Sequence, residues 1–225
     1  MDGQVMATPY YQDDNVTLYH GDCLEHTEWL EADVLVTDPP YGIDFTTTIN
    51  RHLKRSEGRA PAPKISGDGS VELRDAALEA WGDRPALMFG SWRKPRPVST
   101  RFRLIWDKGE AGMGDLSLPW RPGDEEIYVL GEGFRGHRGS NVLRVSNLRS
   151  DRPDHPTPKP VPLMERLIEK CPPGTVADPF AGSGSTLVAA RNLGRKAIGV
   201  ELEERYCEII AKRLDQMCLD FGEGA

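Results

Sequence analysis

The sequence predicts an open α/β fold built on a mostly parallel sheet. Short apolar runs typical of buried strands alternate with helix-length segments along the 225 residues, which is the pattern of parallel strands joined by helical crossovers. Polar residues and glycines directly follow several of these runs, and open α/β sheets bind ligands at the carboxyl ends of their strands. A chain of this length can bury a substantial core, so we expect residues 1–225 to form a single domain.

Strands are predicted where a short apolar run is bounded by turn residues, because strands buried on both faces have continuous apolar sequence. They fall at residues 16–20, 33–37, 86–90, 102–106, 126–130, 175–178 and 196–200. Helices are predicted at residues 73–81, 160–171, 186–193 and 203–217. In the second helix, apolar side chains recur at the spacing of one helical face. These residues are Met164, Leu167, Ile168 and Cys171.

Two long segments lack this periodicity. Residues 43–72 are poor in large apolar side chains until the helix near residue 73, and loops of this length are uncommon unless they act as lids or binding loops. We therefore predict a mobile loop at 43–72. Residues 108–152 are rich in glycine and arginine and are mostly loop apart from the strand at 126–130.

The charge is negative overall but unevenly distributed. A net charge of −7 argues against general affinity for nucleic acid, yet phosphate contacts need only local positive potential. Basic residues dominate three segments, at 51–64, 91–108 and 134–152. These segments predict either contacts to phosphate or solvated basic loops, and the sequence leaves both interpretations open.

Other features of the chain indicate a cytoplasmic protein without a metal. The first 15 residues are polar and acidic, unlike a secretory signal, and no apolar run approaches the roughly 18 residues of a membrane span. The four cysteines lack the paired spacing of a zinc site, so we expect free thiols.

A glycine-rich turn follows the strand at 175–178. It reads Asp178-Pro-Phe180-Ala181-Gly182-Ser183-Gly184 and leads into a helix. Glycines allow positive φ and close approach of a ligand, and Glu201 ends the next strand about 20 residues later, where a carboxylate can bind both ribose hydroxyls. Leu187 stands where a dinucleotide-binding turn would have its next glycine. The pattern therefore favours a nucleoside-containing cofactor other than a dinucleotide.

A second motif, Asp38-Pro39-Pro40-Tyr41, follows the strand at 33–37. An aromatic amine is a poor nucleophile because its lone pair is delocalised, and two rigid acceptors would draw it toward tetrahedral geometry. The Asp38 carboxylate and the Pro39 carbonyl can accept its two N–H groups, and the prolines hold the turn rigid. Tyr41 offers a face on which an extruded base can stack. The motif predicts methylation of a base amino group.

Together these motifs resemble those of the DNA amino-methyltransferases, and their order resembles that of the β class. This resemblance implies a circularly permuted class I S-adenosylmethionine-dependent methyltransferase fold, Rossmann-like, with a seven-stranded, mostly parallel sheet containing one antiparallel strand. It implies S-adenosylmethionine as cofactor and duplex DNA as partner, with a homodimer possible. Some relatives have serine at the position of Asp38, and the aspartate here implies that the methylated atom is N6 of adenine. Three alternatives remain: methylation of cytosine N4, methylation of RNA, and a non-catalytic subunit that binds the cofactor.

The resemblance also implies the role of individual residues. Asp38, Pro39, Pro40 and Tyr41 would orient the target base. The residues expected to line the cofactor are Asp22, Cys23, Asp38, His155, Thr157, Lys159, Asp178, Phe180, Ala181, Gly182, Ser183, Gly184 and Glu201. Pro158 departs from the family's common glutamine. The family reads its target with a variable region, here 108–152, in which we expect DNA contacts from Arg135, His137, Arg138 and Arg144. The expected role is that of a stand-alone modification enzyme of a bacterial or phage-infected cell.

Overall fold

The computed structural model describes residues 7–42, 70–109, 117–146 and 158–220, with side chains as far as 216. Its strands are β1 Tyr11–Gln12, β2 Val16–His20, β3 Val34–Thr37, β4 Ala86–Gly90, β5 Phe102–Asp107, β6 Asp124–Leu130, β7 Val142–Arg144, β8 Val176–Asp178 and β9 Ala197–Glu201. Its helices are α1 Glu72–Trp81, α2 Val161–Ile168, α3 Ser185–Asn192 and α4 Glu204–Asp220, with a 3₁₀ helix at Glu28–Glu31. Most of the predicted loop at 43–72 lies outside the described residues.

All nine described strands form one sheet in the order β1-β2-β9-β8-β3-β4-β6-β5-β7. Strands β2, β9, β8, β3 and β4 are parallel neighbours, whereas β6 runs antiparallel to β4 and β5. The seven strands from β2 to β5 thus form the mostly parallel sheet with one antiparallel strand that was predicted. Two short edge strands, β1 and β7, were not predicted, and β7 corrects the expectation of unbroken loop after residue 131.

The apolar runs of the strands are explained by cores on both faces of the sheet. In β3, Val34 and Val36 join the core beneath α2, α3 and α4, whereas Leu35 joins the core around Trp29 and Trp81 of the 3₁₀ helix and α1. Successive side chains of a strand point to opposite faces, so a strand covered on both sides needs apolar residues throughout.

The permuted chain order places the two motif-bearing strands side by side. Strand β8, which comes late in the sequence, pairs directly with β3, and β9 pairs with β8 on its other side. Because these strands are parallel, their carboxyl ends meet at one edge of the sheet. Within the described ranges, no helix has the length and apolar character of a membrane span.

Candidate active site

The carboxyl edge of the sheet gathers the acidic residues predicted from both motifs. Asp38 directly follows β3, Asp178 ends β8, and Glu201 ends β9. The Thr37 hydroxyl donates to Asp178 Oδ1 at 2.6 Å, which ties the two motif strands together. Nothing in the sequence singles out Thr37, because its role depends on the pairing of two strands distant in sequence.

Asp178 is buried at the centre of this edge. It is only 2% exposed, and burial raises the pKa of its carboxyl to about 6 although the hydroxyls of Thr186 and Thr37 and the Phe180 N–H donate to it. The Phe180 N–H lies 3.2 Å from Oδ1. Asp178 therefore orders the start of the glycine turn through hydrogen bonds.

Glu201 is fixed beside that turn by two backbone donors. The Gly182 N–H donates to Oε2 at 2.7 Å, and the Glu203 N–H donates to Oε1 at 2.8 Å. Burial raises the pKa of this carboxyl to about 7 despite these bonds. Each oxygen keeps a further lone pair, so the carboxylate can accept two hydroxyl groups without moving.

The glycine turn combines a backbone and a packing requirement. Gly182 and Gly184 have φ values of 53° and 79°, a region that side chains disfavour. A Cβ at position 184 would lie 2.8 Å from Ile210 Cγ1 of α4. Ala181 and Ser183 are buried within the turn, and the Ala181 N–H donates to the Val200 carbonyl of β9 at 3.0 Å. These contacts hold the turn against β9.

The segment after β2 reaches the same edge. The Gly21 N–H donates to the Glu201 carbonyl at 2.9 Å, which brings Asp22 and Cys23 toward the glycine turn. Asp22 Oδ1 accepts the Leu24 N–H at 2.8 Å. Cys23 is buried, and burial raises the pKa of its thiol to about 12, so the thiol stays neutral. The backbone of the turn after β2 thus positions both Asp22 and Cys23.

The Asp38 carboxylate is held by two donors. Tyr41 donates its hydroxyl hydrogen to Oδ1 at 2.6 Å, and Lys159 Nζ donates to Oδ2 at 2.5 Å. Pro39 is buried, and Pro40 is partly exposed. The family motif places Lys159 at the cofactor, whereas in the structure its ammonium group contacts the carboxylate of the second motif.

Two further charged residues, Glu125 and Lys108, complete this cluster. Glu125 Oε2 lies 3.1 Å from Lys159 Nζ and 3.1 Å from the Tyr41 hydroxyl oxygen. Its other oxygen lies 2.6 Å from Lys108 Nζ. The sequence marks neither residue as a member of the site, because only the antiparallel direction of β6 brings its amino end to this edge.

Ion pairing outweighs burial in setting the charges of the cluster. Burial favours a neutral Glu125, yet Lys159 and Lys108 lower the pKa of its carboxyl. Burial likewise opposes charge on Lys159, but Asp38 and Glu125 raise the pKa of its ammonium group. Burial and both carboxylates raise the pKa of Tyr41, which stays a neutral phenol. Glu125 and Lys159 therefore carry charge in this cluster, and Tyr41 contributes a single phenolic hydrogen.

The four residues expected to contact DNA differ in their position along the sheet. Arg144 ends β7, level with Asp107 at the carboxyl edge, and its Nε lies 3.1 Å from Asp107 Oδ2. The Arg135 N–H and the His137 carbonyl instead bond to Lys170, beyond the far end of α2. All four residues, Arg144 included, line one cavity of about 930 Å³. Of the four, only Arg144 ends a strand at the carboxyl edge.

Several expectations fall on residues whose placement is not described. His155 and Thr157 lie outside the described residues, as does the basic segment 51–64. In the basic segment 91–108, Arg96 and Arg103 pair with Glu126 and Arg101 pairs with Glu132, so part of that charge is neutralised internally. Across the described ranges, acidic, histidine and cysteine side chains form no group of three that could hold a metal ion.

Comparison with known proteins identifies the family. A family model described as DNA methylase, of the N6 and N4 type, matches residues 91–212. The chain is 48% identical to a type II methyltransferase, M2.DpnII of Streptococcus pneumoniae, over 95% of this chain and 94% of that protein.

Two solved structures share the fold. The M1.HpyAVI complex with S-adenosylmethionine has a TM-score of 0.64 at 22% identity, covering 89% of this chain and 99% of that one. The cytosine-N4-specific PvuII DNA methyltransferase has a TM-score of 0.67 at 17% identity, covering 91% and 88%. By the family match and the extended similarity to the type II enzyme, this chain belongs to the N6-adenine and N4-cytosine DNA amino-methyltransferases.

Proposed function

We propose that this protein transfers a methyl group from S-adenosylmethionine to the exocyclic N6 of adenine in duplex DNA, after the base has flipped out of the helix. The observation that carries the proposal is the position of Asp38. Its carboxylate is held by Tyr41 and Lys159 and follows the strand that pairs with the Asp178 strand. A base amine at Asp38 would therefore face a cofactor seated between Asp178 and Glu201.

The residues of the glycine turn fit the proposed cofactor. Glu201 keeps a free lone pair on each oxygen while two backbone N–H groups fix its orientation, which suits the two hydroxyls of a ribose. When bound, S-adenosylmethionine would supply the methyl group to the amine nitrogen as its carbon–sulfur bond breaks, and the proton lost from that nitrogen would pass to solvent. The protein's part is to bind the two reactants in contact and to exclude water.

Asp38 acts on the amine as an acceptor. An N–H donated to the carboxylate draws the nitrogen lone pair out of conjugation, and the negative charge stabilises the positive charge that develops on nitrogen. Lys159 and Tyr41 hold both carboxylate oxygens in place before the base arrives, so little reorganisation is needed. The Pro39 carbonyl is the proposed second acceptor, and the Tyr41 ring the proposed stacking partner of the base.

The choice of adenine rests on the resemblance of the second motif. Asp38 stands where cytosine-specific members of the family can have serine, and this favours adenine N6. Cytosine N4 is the main competing target, since the PvuII enzyme that shares the fold is cytosine-N4-specific. RNA is a second competing substrate, and a non-catalytic subunit that only binds the cofactor is a third hypothesis. The type II names of relatives favour a role beside restriction enzymes in a bacterial or phage-infected cell.

The exposed groups at the carboxyl edge suggest where DNA binds. Tyr41 follows β3 and Trp92 follows β4, and these two strands are parallel neighbours, so both residues lie beyond the carboxyl edge. Trp92 is 73% exposed, and Arg93 lies over its ring at 5.5 Å. Trp120, before β6, is 77% exposed. Exposed aromatic rings beside cations are suited to bases and phosphates, and we assign this surface, with Arg144, to DNA.

The proposal is tested by incubating the protein with labelled S-adenosylmethionine and duplex DNA, followed by nucleoside analysis of the digest. N6-methyladenine is expected, and the Asp38→Ala variant should lose methyl transfer while its cofactor affinity stays within about twofold. N4-methylcytosine in the digest would establish cytosine as the target instead. Cofactor binding without transfer to DNA or RNA would support the non-catalytic subunit, and Asp38→Ala turnover at the unmodified rate would refute the role of Asp38.

A further inference from the structure

We propose that Glu125 is a positioning residue that takes over the Tyr41 hydroxyl hydrogen when the target amine reaches Asp38. The inference rests on the proposed methyl transfer at Asp38. Its starting point is a mismatch in hydrogen-bonding capacity: Tyr41 has a single hydroxyl hydrogen, yet two carboxylates lie within reach of its oxygen. Asp38 Oδ1 is 2.6 Å away and Glu125 Oε2 is 3.1 Å away.

The two carboxylates compete for that one hydrogen. A neutral phenol donates once, and the shorter distance assigns the hydrogen to Asp38 in this structure. Glu125 is then a ready second acceptor, needing only a rotation about the bond between the ring and the oxygen. No covalent bond forms or breaks in this exchange.

The lysines keep Glu125 in place for this role. Lys108 Nζ holds Oε1 at 2.6 Å, and Lys159 Nζ, almost fully buried, lies 3.1 Å from Oε2. Lys159 also donates to Tyr41 Oη at 3.3 Å, which fixes the phenolic oxygen while leaving its hydrogen able to turn. A cation beside each oxygen stabilises this partly buried carboxylate.

The exchange benefits the reaction at one step. A hydrogen bond from Tyr41 to Asp38 Oδ1 withdraws part of the negative charge that the amine needs. When the target amine donates to Asp38, rotation of the phenolic hydrogen to Glu125 returns that charge to Asp38 as positive charge develops on nitrogen. Asp38 is thus held rigid before the base arrives and becomes a stronger acceptor once it is bound.

The same strand provides a matched control. Glu126, the next residue of β6, is more deeply buried than Glu125 and also pairs with two cations, Arg96 and Arg103. It accepts from a tyrosine hydroxyl as well, that of Tyr128 at 2.9 Å. Adjacent residues of a strand face opposite sides, so Glu126→Gln removes a buried charge away from Asp38.

The experiment compares Glu125→Gln, Tyr41→Phe, the double variant and Glu126→Gln in single-turnover methylation at saturating DNA and cofactor. Glu125→Gln should lower the rate about 10-fold or more, with cofactor Kd by calorimetry within about twofold. In the Tyr41→Phe background, the same substitution should cost no more than about twofold, because the hydrogen it accepts is gone. Glu126→Gln should leave the rate within about twofold.

A further variant separates geometry from charge. Glu125→Asp keeps the negative charge for both lysines but withdraws the acceptor from Tyr41, so its rate should fall toward that of Glu125→Gln. An unchanged rate in Glu125→Gln, or an equal loss in both Tyr41 backgrounds, would overturn this inference while leaving the proposed function intact. An unmodified chain that methylates neither DNA nor RNA would overturn both proposals.

Discussion

Replacing Asp178 with asparagine should stabilise the cofactor-free protein above neutral pH, although it removes a charge from the proposed site. Asp178 is buried, and Oδ1 accepts from the Thr37 hydroxyl and the Phe180 N–H. Asparagine keeps that oxygen, and its amide group can donate to the Thr186 hydroxyl. The substitution therefore retains the hydrogen bonds and removes the ionisation that burial opposes.

The magnitude follows from the pKa of the carboxyl. Burial raises this pKa from an ordinary 3.8 to about 6, and each pH unit of difference corresponds to about 1.4 kcal/mol. Because the folded-state pKa is the higher one, the contribution of Asp178 to stability is complete below pH 4 and is lost as pH rises through 6. At pH 8, Asp178→Asn should raise the free energy of unfolding by up to about 3 kcal/mol.

Calorimetry of both proteins between pH 4 and 8, without cofactor, measures the effect. The gain in Tm should be near zero at pH 4 and reach roughly 6–12 °C at pH 8 for a chain of this size. A gain independent of pH, or a loss at pH 8, would refute the assignment of a raised pKa to Asp178.

Asp13, whose carboxyl pKa is lowered rather than raised, provides the control. Partial burial opposes ionisation of Asp13, but the N–H groups of Val16 and Asn15 outweigh it and lower the pKa of this carboxyl. Its stabilisation is present above the unfolded-state pKa and is lost as pH falls through the folded-state value. Asp13→Asn should therefore destabilise the protein at pH 8 and have little effect in acid.

Three further results are expected. Gly184→Ala should destabilise the protein by about 2–4 kcal/mol in denaturant unfolding, because φ is 79° and the new Cβ would lie 2.8 Å from a helix α4 side chain; wild-type stability would contradict both causes. Arg144→Ala should reduce the salt dependence of DNA affinity by about one counterion, whereas Arg138→Ala, in the connection between β6 and β7, should not, and the reverse order would place DNA at that connection. Among the described tryptophans, only Trp92 and Trp120 are exposed to a quencher such as acrylamide. Acrylamide quenching of tryptophan fluorescence should therefore fall when DNA binds. Unchanged quenching would show that these rings are not part of the DNA surface.

The predicted elements agree with the structure where local sequence determines them. Strand β3 is continuous apolar sequence closed by prolines, and α2 presents a regular apolar face, so their positions follow from chain stiffness and burial alone. The edge strands β1 and β7 and the 3₁₀ helix were missed because segments of two to four residues carry too little periodicity. Pairing with a neighbouring strand, rather than their own sequence, makes β1 and β7 extended.

The sequence by itself determined the fold class, the two motifs and the family that they resemble, because each motif is a continuous run with its own backbone chemistry. Only the tertiary structure decided which charges meet. Lys108, Glu125 and Lys159 come from three separated segments, and they converge on Asp38 because β6 runs against its neighbours and α2 begins beside β3. It also placed Arg135, Arg138 and Arg144 around one cavity while putting only Arg144 at the carboxyl end of a strand, because strand pairing, not sequence distance, fixes the position of a residue along the sheet.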